Sequence, residues 1–189
     1  MSDSSPNPSK HPRRHVLFVV LLGCALLGAC SPALDWREAR PKGVDLLLTF
    51  PCKPQQLTQP VVLGGQRVSM SMTGCVAAGM TFALAHADVG RAAQVAPALA
   101  TLRAAAVANV HGRASAVHAS TVANATPGLS DAVEMDLSGQ GPHGAAVREH
   151  VVLFAQGSQV YQATALAAAD HYQDDAAHSF VASIRLPAQ

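Results

Sequence analysis

The chain has 189 residues, with 13 Lys and Arg against 12 Asp and Glu, so its formal net charge is +1. This balance provides no basic surface for nucleic acid, and we predict that the protein binds none. Hydrophobic residues are 49% and charged residues 13% of the chain, which argues against disorder, and the length suits one domain plus processed segments.

The N-terminus has the features of an export signal. Lys10, Arg13 and Arg14 form a positive region, and residues 16–29 follow as an uncharged apolar run. This run is too short for a membrane-spanning helix, which needs roughly 20 residues, but it suits the apolar region of a signal peptide. An ordinary secretory signal and a membrane-spanning anchor are the alternative interpretations.

The apolar run ends in the tetrapeptide Leu-Gly-Ala-Cys, which finishes at Cys30 and resembles the lipobox of bacterial lipoproteins. The resemblance implies that residues 1–29 are removed and that Cys30 carries diacylglycerol and, at its new amino group, an acyl chain such as palmitate. Ser31, rather than Asp, follows. By resemblance to the sorting pattern of Gram-negative lipoproteins, Ser31 implies the periplasmic face of the outer membrane.

After the predicted cleavage site, residues 30–44 are expected to form an acylated tether and residues 45–187 a single α+β periplasmic domain. Each buried CH2 of an acyl chain stabilises membrane attachment by about 0.8 kcal/mol, so several chains anchor the protein stably. The membrane is therefore an expected partner. Trp36, within the tether, either contacts the domain or lies at the membrane interface.

The hydrophobic pattern of the domain alternates between groups of strands and single helices, which predicts an α+β fold: an antiparallel sheet meander packed by two helices. Gly64-Gly65 predicts a hairpin turn. Four phenylalanines in phase with these elements, Phe50, Phe82, Phe154 and Phe180, are expected to be buried. In chain order we predict strands at 44–50, 61–63, 67–74 and 80–87, a helix at about 90–110, strands at 133–137, 145–155 and 159–168, and a helix at about 170–183. Residues 51–60 are expected to be a polar loop. Residues 114–128 are ambiguous, with one strand followed by a turn at Pro127-Gly128 as the interpretation.

Three short motifs give the domain a family resemblance. They are Phe-Pro-x-Lys-Pro at 50–54, Gly-Ser-Gln-Val-Tyr-Gln at 157–162 and Phe-x-x-Ser at 180–183. With the element order, they resemble the PsbP-like α/β/α sandwich of bacterial lipoproteins and photosystem accessory proteins, over most of residues 45–187. The resemblance implies a binding or assembly module without catalytic residues. Cys52 is a departure, because Gly would be common there.

Two cysteines remain once Cys30 carries lipid and Cys24 leaves with the signal. Cys52 and Cys75 both follow predicted strands that can be neighbours in a meander, and the periplasm is oxidising. We therefore predict a disulfide between them. Two buried free thiols, or a thiol paired with a His in an active site, are the alternatives.

The last predicted helix carries the candidate metal ligands. His171, Asp174, Asp175 and His178 share one face of that helix, and imidazole with carboxylate can bind a metal such as Zn²⁺. A solvated polar face explains the same spacing, and it is the interpretation we favour. No metal or other cofactor is therefore predicted.

Two further patterns favour structural over functional interpretations. Residues 139–144 match the dinucleotide-binding pattern Gly-x-Gly-x-x-Gly, but a strand is expected to follow where that mechanism needs a helix, so we predict a hairpin loop. Glu134 and Asp136 point the same way from one strand. Paired carboxylates can act in acid–base chemistry, but a solvated strand face is the simpler interpretation.

These features predict a membrane-anchored periplasmic lipoprotein that acts as a binding or assembly accessory module and is not an enzyme. Its expected partners are the membrane and an envelope protein that the sequence does not identify. The sequence contains no convergent polar cluster typical of catalysis. The alternatives are a metal-binding protein that uses the 171–178 helix face and a small envelope hydrolase whose residues only the fold brings together.

Overall fold

The computed structural model describes residues 1–2 and 33–188 of the chain, and residues 33–188 belong to one compact unit. Apart from residues 1–2, the predicted signal peptide lies outside the described residues, as do Cys30 and Ser31. Cleavage and lipidation therefore remain predictions. Among the described residues, no helix is long and apolar enough to cross a membrane.

The domain is an α+β structure with nine strands and two helices in its described residues, which confirms the predicted fold class. A short 3-10 turn precedes the first helix. In chain order, the elements are β1 (Arg37–Ala39), β2 (Leu48–Phe50), β3 (Gln55–Leu63), β4 (Gln66–Ala77), β5 (Met80–Asp88), α1 (Val95–Asn109), β6 (Arg113–Ala119), β7 (Val133–Gln140), β8 (Ala146–Gln156), β9 (Gln159–Ala168) and α2 (Asp174–Ala182).

Seven of the strands form one antiparallel sheet in the order β3-β4-β5-β9-β8-β7-β6. It consists of two meanders, β3 to β5 and β6 to β9, which meet where β5 pairs with β9. The first strand predicted from the sequence does not belong to this sheet. Its end, β2, pairs with β1 in a separate two-stranded sheet, and Leu47 forms an isolated bridge with Arg185.

Each face of the large sheet carries one helix. Val151 and Leu153 of β8 pack with α1, whereas Val152 and Phe154 of the same strand pack on the face that α2 and β2 cover. Side chains alternate along a strand, so the central strands contribute to both cores. The predicted apolar stripe of α1 is fully buried: Val95, Leu99, Leu102, Ala106 and Val110.

The α2 face contains the aromatic core. Phe50, Phe82, Phe154 and Phe180 are all 0% exposed, as predicted. The ring centroid of Phe180 lies 5.1 Å from that of Phe50 and 5.5 Å from that of Phe82. The aromatic rings therefore join α2, β2 and β5.

The segment predicted to be a polar loop at residues 51–60 is mostly strand. Gln55 to Pro60 continue into β3, which is one of the two edge strands of the large sheet in the described part of the chain. An edge strand needs hydrogen bonds on one side only, so it accepts Pro60, which has no backbone N–H. Most of its side chains are exposed on both faces, so the alternation typical of a half-buried strand is absent from the sequence.

Residues 33–44 contact the domain. β1 lies within this segment and pairs with β2, and Leu34 packs against the aromatic core. The Trp36 ring centroid lies 6.4 Å from that of Phe82 in an edge-on arrangement. Trp36 thus takes the first of its two predicted positions, against the domain.

Candidate functional site

Four polar side chains from three elements meet on the α2 face of the sheet. Val133 and Met135 of β7 point into the α1 core, so Glu134 and Asp136 point to the opposite face. His150 of β8 lies directly opposite Asp136 in the strand register. His178 of α2 completes the group, which we call the His–carboxylate cluster: Glu134, Asp136, His150 and His178.

His150 is the buried centre of the His–carboxylate cluster, with 3% of its surface exposed. Its Nδ1 lies 2.8 Å from Oδ1 of Asp136, and its Nε2 lies 3.0 Å from Oε1 of Glu134. A neutral imidazole has one N–H and can donate to only one of these carboxylates. The other nitrogen must then share a cation with the second carboxylate, and that cation is either a proton or a metal ion.

His178 brings a second imidazole to the same place. Its ring centroid lies 4.8 Å from that of His150, and the donor atoms of Glu134, His150 and His178 all lie within 4.8 Å of one another. Glu134 and His178 also line a cavity of about 430 Å³ whose wall includes Arg185. The cluster is therefore buried on the sheet side and open on the cavity side.

The helix face that was considered as an alternative metal site does not form as a ligand set. α2 begins at Asp174, four residues later than expected, so His171 lies in the turn before it and is exposed. Asp174 instead accepts two hydrogen bonds from Arg148, at 2.7 and 3.1 Å, and this pairing lowers the pKa of the Asp174 carboxyl. Asp175 is exposed. Of these four candidate residues, only His178 joins the His–carboxylate cluster.

Sequence reasoning placed Glu134 and Asp136 on one side of a strand but did not connect them to His150. The contact between Asp136 and His150 could have been predicted from the register of the hairpin between β7 and β8. Because Gln140 pairs with Ala146, counting back from the turn places residue 136 opposite residue 150. The contribution of His178 has no such local signal, since it depends on how α2 packs on the sheet.

Buried Glu149 lies on the other face of the sheet and is not part of the cluster. Burial raises the pKa of its carboxyl to about 7, against the opposing effect of a hydrogen bond from Thr164. Its register partner is Leu137, which belongs to the α1 core. The sheet therefore separates Glu149 from His150, its neighbour in sequence.

The Gly-x-Gly-x-x-Gly segment is a hairpin loop, as predicted, because β8 follows it rather than a helix. Gly139 has a packing function instead. A Cβ at Gly139 would overlap the carbonyl oxygen of Val110, and one at Gly112 would overlap that of Ser138. The two glycines let the chain after α1 cross β7 at close range.

The two edge strands of the large sheet, β3 and β6, differ in charge and in the regularity of their pairing. β3 has nine residues without a charged side chain, and Leu57 and Val62 on it are 55% and 58% exposed. β6 carries Arg113 and His118 and is interrupted by a bulge between Ser115 and His118. Charges and bulges are devices that protect an edge from pairing with another chain, so β6 has this protection and β3 largely lacks it.

An apolar groove of about 560 Å³ lies beside β3. Leu57, Met72 and Val76 are the exposed apolar residues among those that line it, and they lie on the sheet face that α1 covers further along. The groove also contacts the disulfide between Cys52 and Cys75, whose Cα atoms are 6.0 Å apart. That disulfide was predicted from neighbouring strands of one meander, but Cys52 follows β2 of the small sheet and Cys75 lies within β4 of the large sheet.

No protein family, no curated protein and no solved structure matches this chain.

Proposed function

We propose that the chain is a lipid-anchored envelope protein whose periplasmic domain is a non-catalytic binding or assembly module. The domain takes an extended segment of a partner protein along β3. The observation that carries this proposal is the free, uncharged, nine-residue edge with an apolar groove beside it. Membership of the PsbP-like group is part of the proposal, supported by the element order and by the sheet with one helix on each face.

The backbone of β3 supplies the affinity in this arrangement. One side of the strand pairs with β4, and the other side presents N–H and C=O groups that an added strand can bond. Side chains of that strand then lie over Leu57, Met72 and Val76, which would give specificity through the apolar groove. An extended segment covers both features at once, whereas a partner helix would leave the edge backbone unpaired.

The geometry of His150 supports a module without catalytic activity. A hydrolase would need an imidazole with one nitrogen free to activate a nucleophile. The hydrogen-bond partners of His150 in the described part of the chain are both carboxylates, so no hydroxyl or thiol is positioned there as a nucleophile.

The lipid anchor is supported by the N-terminal sequence and by the disulfide. The positive region, the apolar run and the Leu-Gly-Ala-Cys ending occur in the order of a lipoprotein signal. A disulfide suits the oxidising periplasm. Because Ser rather than Asp follows Cys30 at position 31, we propose that the protein lies at the periplasmic face of the outer membrane.

Replacing Cys30 by Ser is expected to release the protein from the membrane fraction or to leave it as uncleaved precursor, because no thiol remains to accept lipid. Cys24→Ser is the matched control, and it should leave membrane attachment unchanged. Intact mass of the wild-type membrane form should correspond to a chain that begins at Cys30 with added acyl mass. A membrane form that retains residues 1–29 with an unmodified Cys30 would refute the anchor.

The partner strand can be captured by a photoreactive amino acid at exposed Gln59 of β3 in living cells, with the same probe at Ala119 of β6 as the control position. We expect a discrete adduct with another protein from Gln59 only. Leu57→Lys should abolish this adduct by adding a charge to the edge, and Val117→Lys on β6 should not. An adduct of two copies of this chain, or equal adducts from both positions, would contradict the proposal.

A further inference from the structure

We propose that Glu134, His150 and His178 bind a divalent first-row transition-metal ion of the Zn²⁺ type. This site is independent of the binding surface on β3. Its ligands come from β7, β8 and α2, so an ion held by them would connect α2 to the centre of the large sheet.

The donor atoms are close enough for direct coordination. With metal–ligand distances of 2.0–2.2 Å, two ligands of a tetrahedral ion lie about 3.3 Å apart. Nε2 of His150 and Oε1 of Glu134 are 3.0 Å apart, and the donor atom of His178 lies within 4.8 Å of both. His178 is exposed, so rotation of its side chain can bring its nitrogen into the shell without disturbing the core.

Asp136 holds His150 in the orientation that a metal ligand needs. Metal-binding histidines commonly donate their second ring N–H to a carboxylate, which fixes the tautomer and the ring. Nδ1 lies 2.8 Å from Asp136, and in the tautomer that carries its proton on Nδ1 this bond leaves the lone pair of Nε2 directed toward Glu134. Asp136 is therefore a positioning residue and not a ligand.

Charge and ligand type both favour a divalent transition metal. The two carboxylates of the cluster place negative charge beside a buried imidazole ring, and a divalent ion offsets that charge. Two imidazole nitrogens with one carboxylate suit Zn²⁺ and its neighbours, whereas Mg²⁺ prefers oxygen ligands only. The adjoining cavity of about 430 Å³ gives a water molecule access to the remaining position.

The competing explanation is a doubly protonated His150 held between its two carboxylates. Metal binding by the full chain separates the two explanations. The protein is purified without a histidine tag in mild detergent, treated with a chelator, dialysed, and titrated calorimetrically with ZnCl2 and, separately, with MgCl2. We expect one Zn²⁺ per chain and no heat of binding from Mg²⁺.

The Zn²⁺ affinities of three substituted proteins test whether the ion binds at this site. His178→Ala should weaken Zn²⁺ binding by about 100-fold or more, because loss of a supporting residue alone costs 10–100-fold. His171→Ala removes another exposed imidazole seven residues away and should leave the affinity within about twofold. Asp136→Asn should weaken binding by about tenfold while the stoichiometry stays at one.

A second readout is the visible absorption of the protein loaded with Co²⁺, which reports nitrogen and oxygen ligands around the ion. The band should appear in the wild type and in His171→Ala and should be lost in His178→Ala. Thermal unfolding of the metal-free proteins, after treatment with the chelator, checks that His178→Ala folds as the wild type does. A wild type that binds no Zn²⁺, or equal affinities for His178→Ala and His171→Ala, would overturn the metal site and leave the doubly protonated His150 as the explanation.

Discussion

Replacing Phe180 by Ala is expected to lower the free energy of unfolding of the domain by about 3–5 kcal/mol, a large share of the 5–15 kcal/mol typical of a whole domain. The ring is fully buried and packs between Phe50 and Phe82. α2 has only nine residues, and the other side chains that it buries completely are Ala176 and Ala177. Phe180 therefore supplies most of the apolar contact that holds α2 on the sheet.

Urea unfolding monitored by circular dichroism measures this effect. Val76→Ala is the surface control, since Val76 is 70% exposed, and it should change stability by no more than about 0.5 kcal/mol. Phe180→Leu retains most of the buried volume and should cost distinctly less than Phe180→Ala. A loss below about 1 kcal/mol for Phe180→Ala would mean that other contacts hold α2 in place.

The sequence predicted most of the elements because their burial patterns are periodic. β8 and β9 are bounded by the Gly157-Ser158 turn, and α1 shows its apolar stripe at spacings of three and four residues. Only the end of β3, at residues 61–63, was predicted, for the converse reason: as an edge strand it buries almost nothing between Gln55 and Pro60, so no period appears there. Local patterns report burial, and they do not report strand pairing.

The site was less predictable because it depends on contacts between distant segments. Glu134 and His150 are sixteen residues apart and meet through the register of one hairpin. His178 meets them only because Phe180, two residues later, anchors α2 in the aromatic core. The helix-face hypothesis failed at Asp174, whose carboxylate pairs with Arg148, and no spacing rule within the helix indicates that partner.

The small sheet is held on the domain mainly through β2, because Leu48 and Phe50 are fully buried in the aromatic core. β2 pairs with β1 through three register positions, and next to it the Asp35 N–H donates to the Pro51 carbonyl oxygen and Leu47 forms an isolated bridge with Arg185. The disulfide then joins Cys52, just after β2, to Cys75 in β4 of the large sheet. The covalent bond therefore connects the two sheets next to the apolar groove.

Removing the disulfide in the double variant Cys52→Ala, Cys75→Ala is expected to lower the free energy of unfolding by about 3.5 kcal/mol, because the bridge closes a loop with a sequence separation of 23 residues. Urea unfolding of the wild type with and without reductant should show the same loss, and reductant should not affect the double variant. Hydrogen exchange should locate the effect: amides of β2 should lose more protection than those of β8, whose strand is buried on both faces. Equal loss of protection in β2 and β8 would mean that the bridge acts only through the unfolded chain, and an unchanged urea midpoint would mean that the β2 contacts suffice without it.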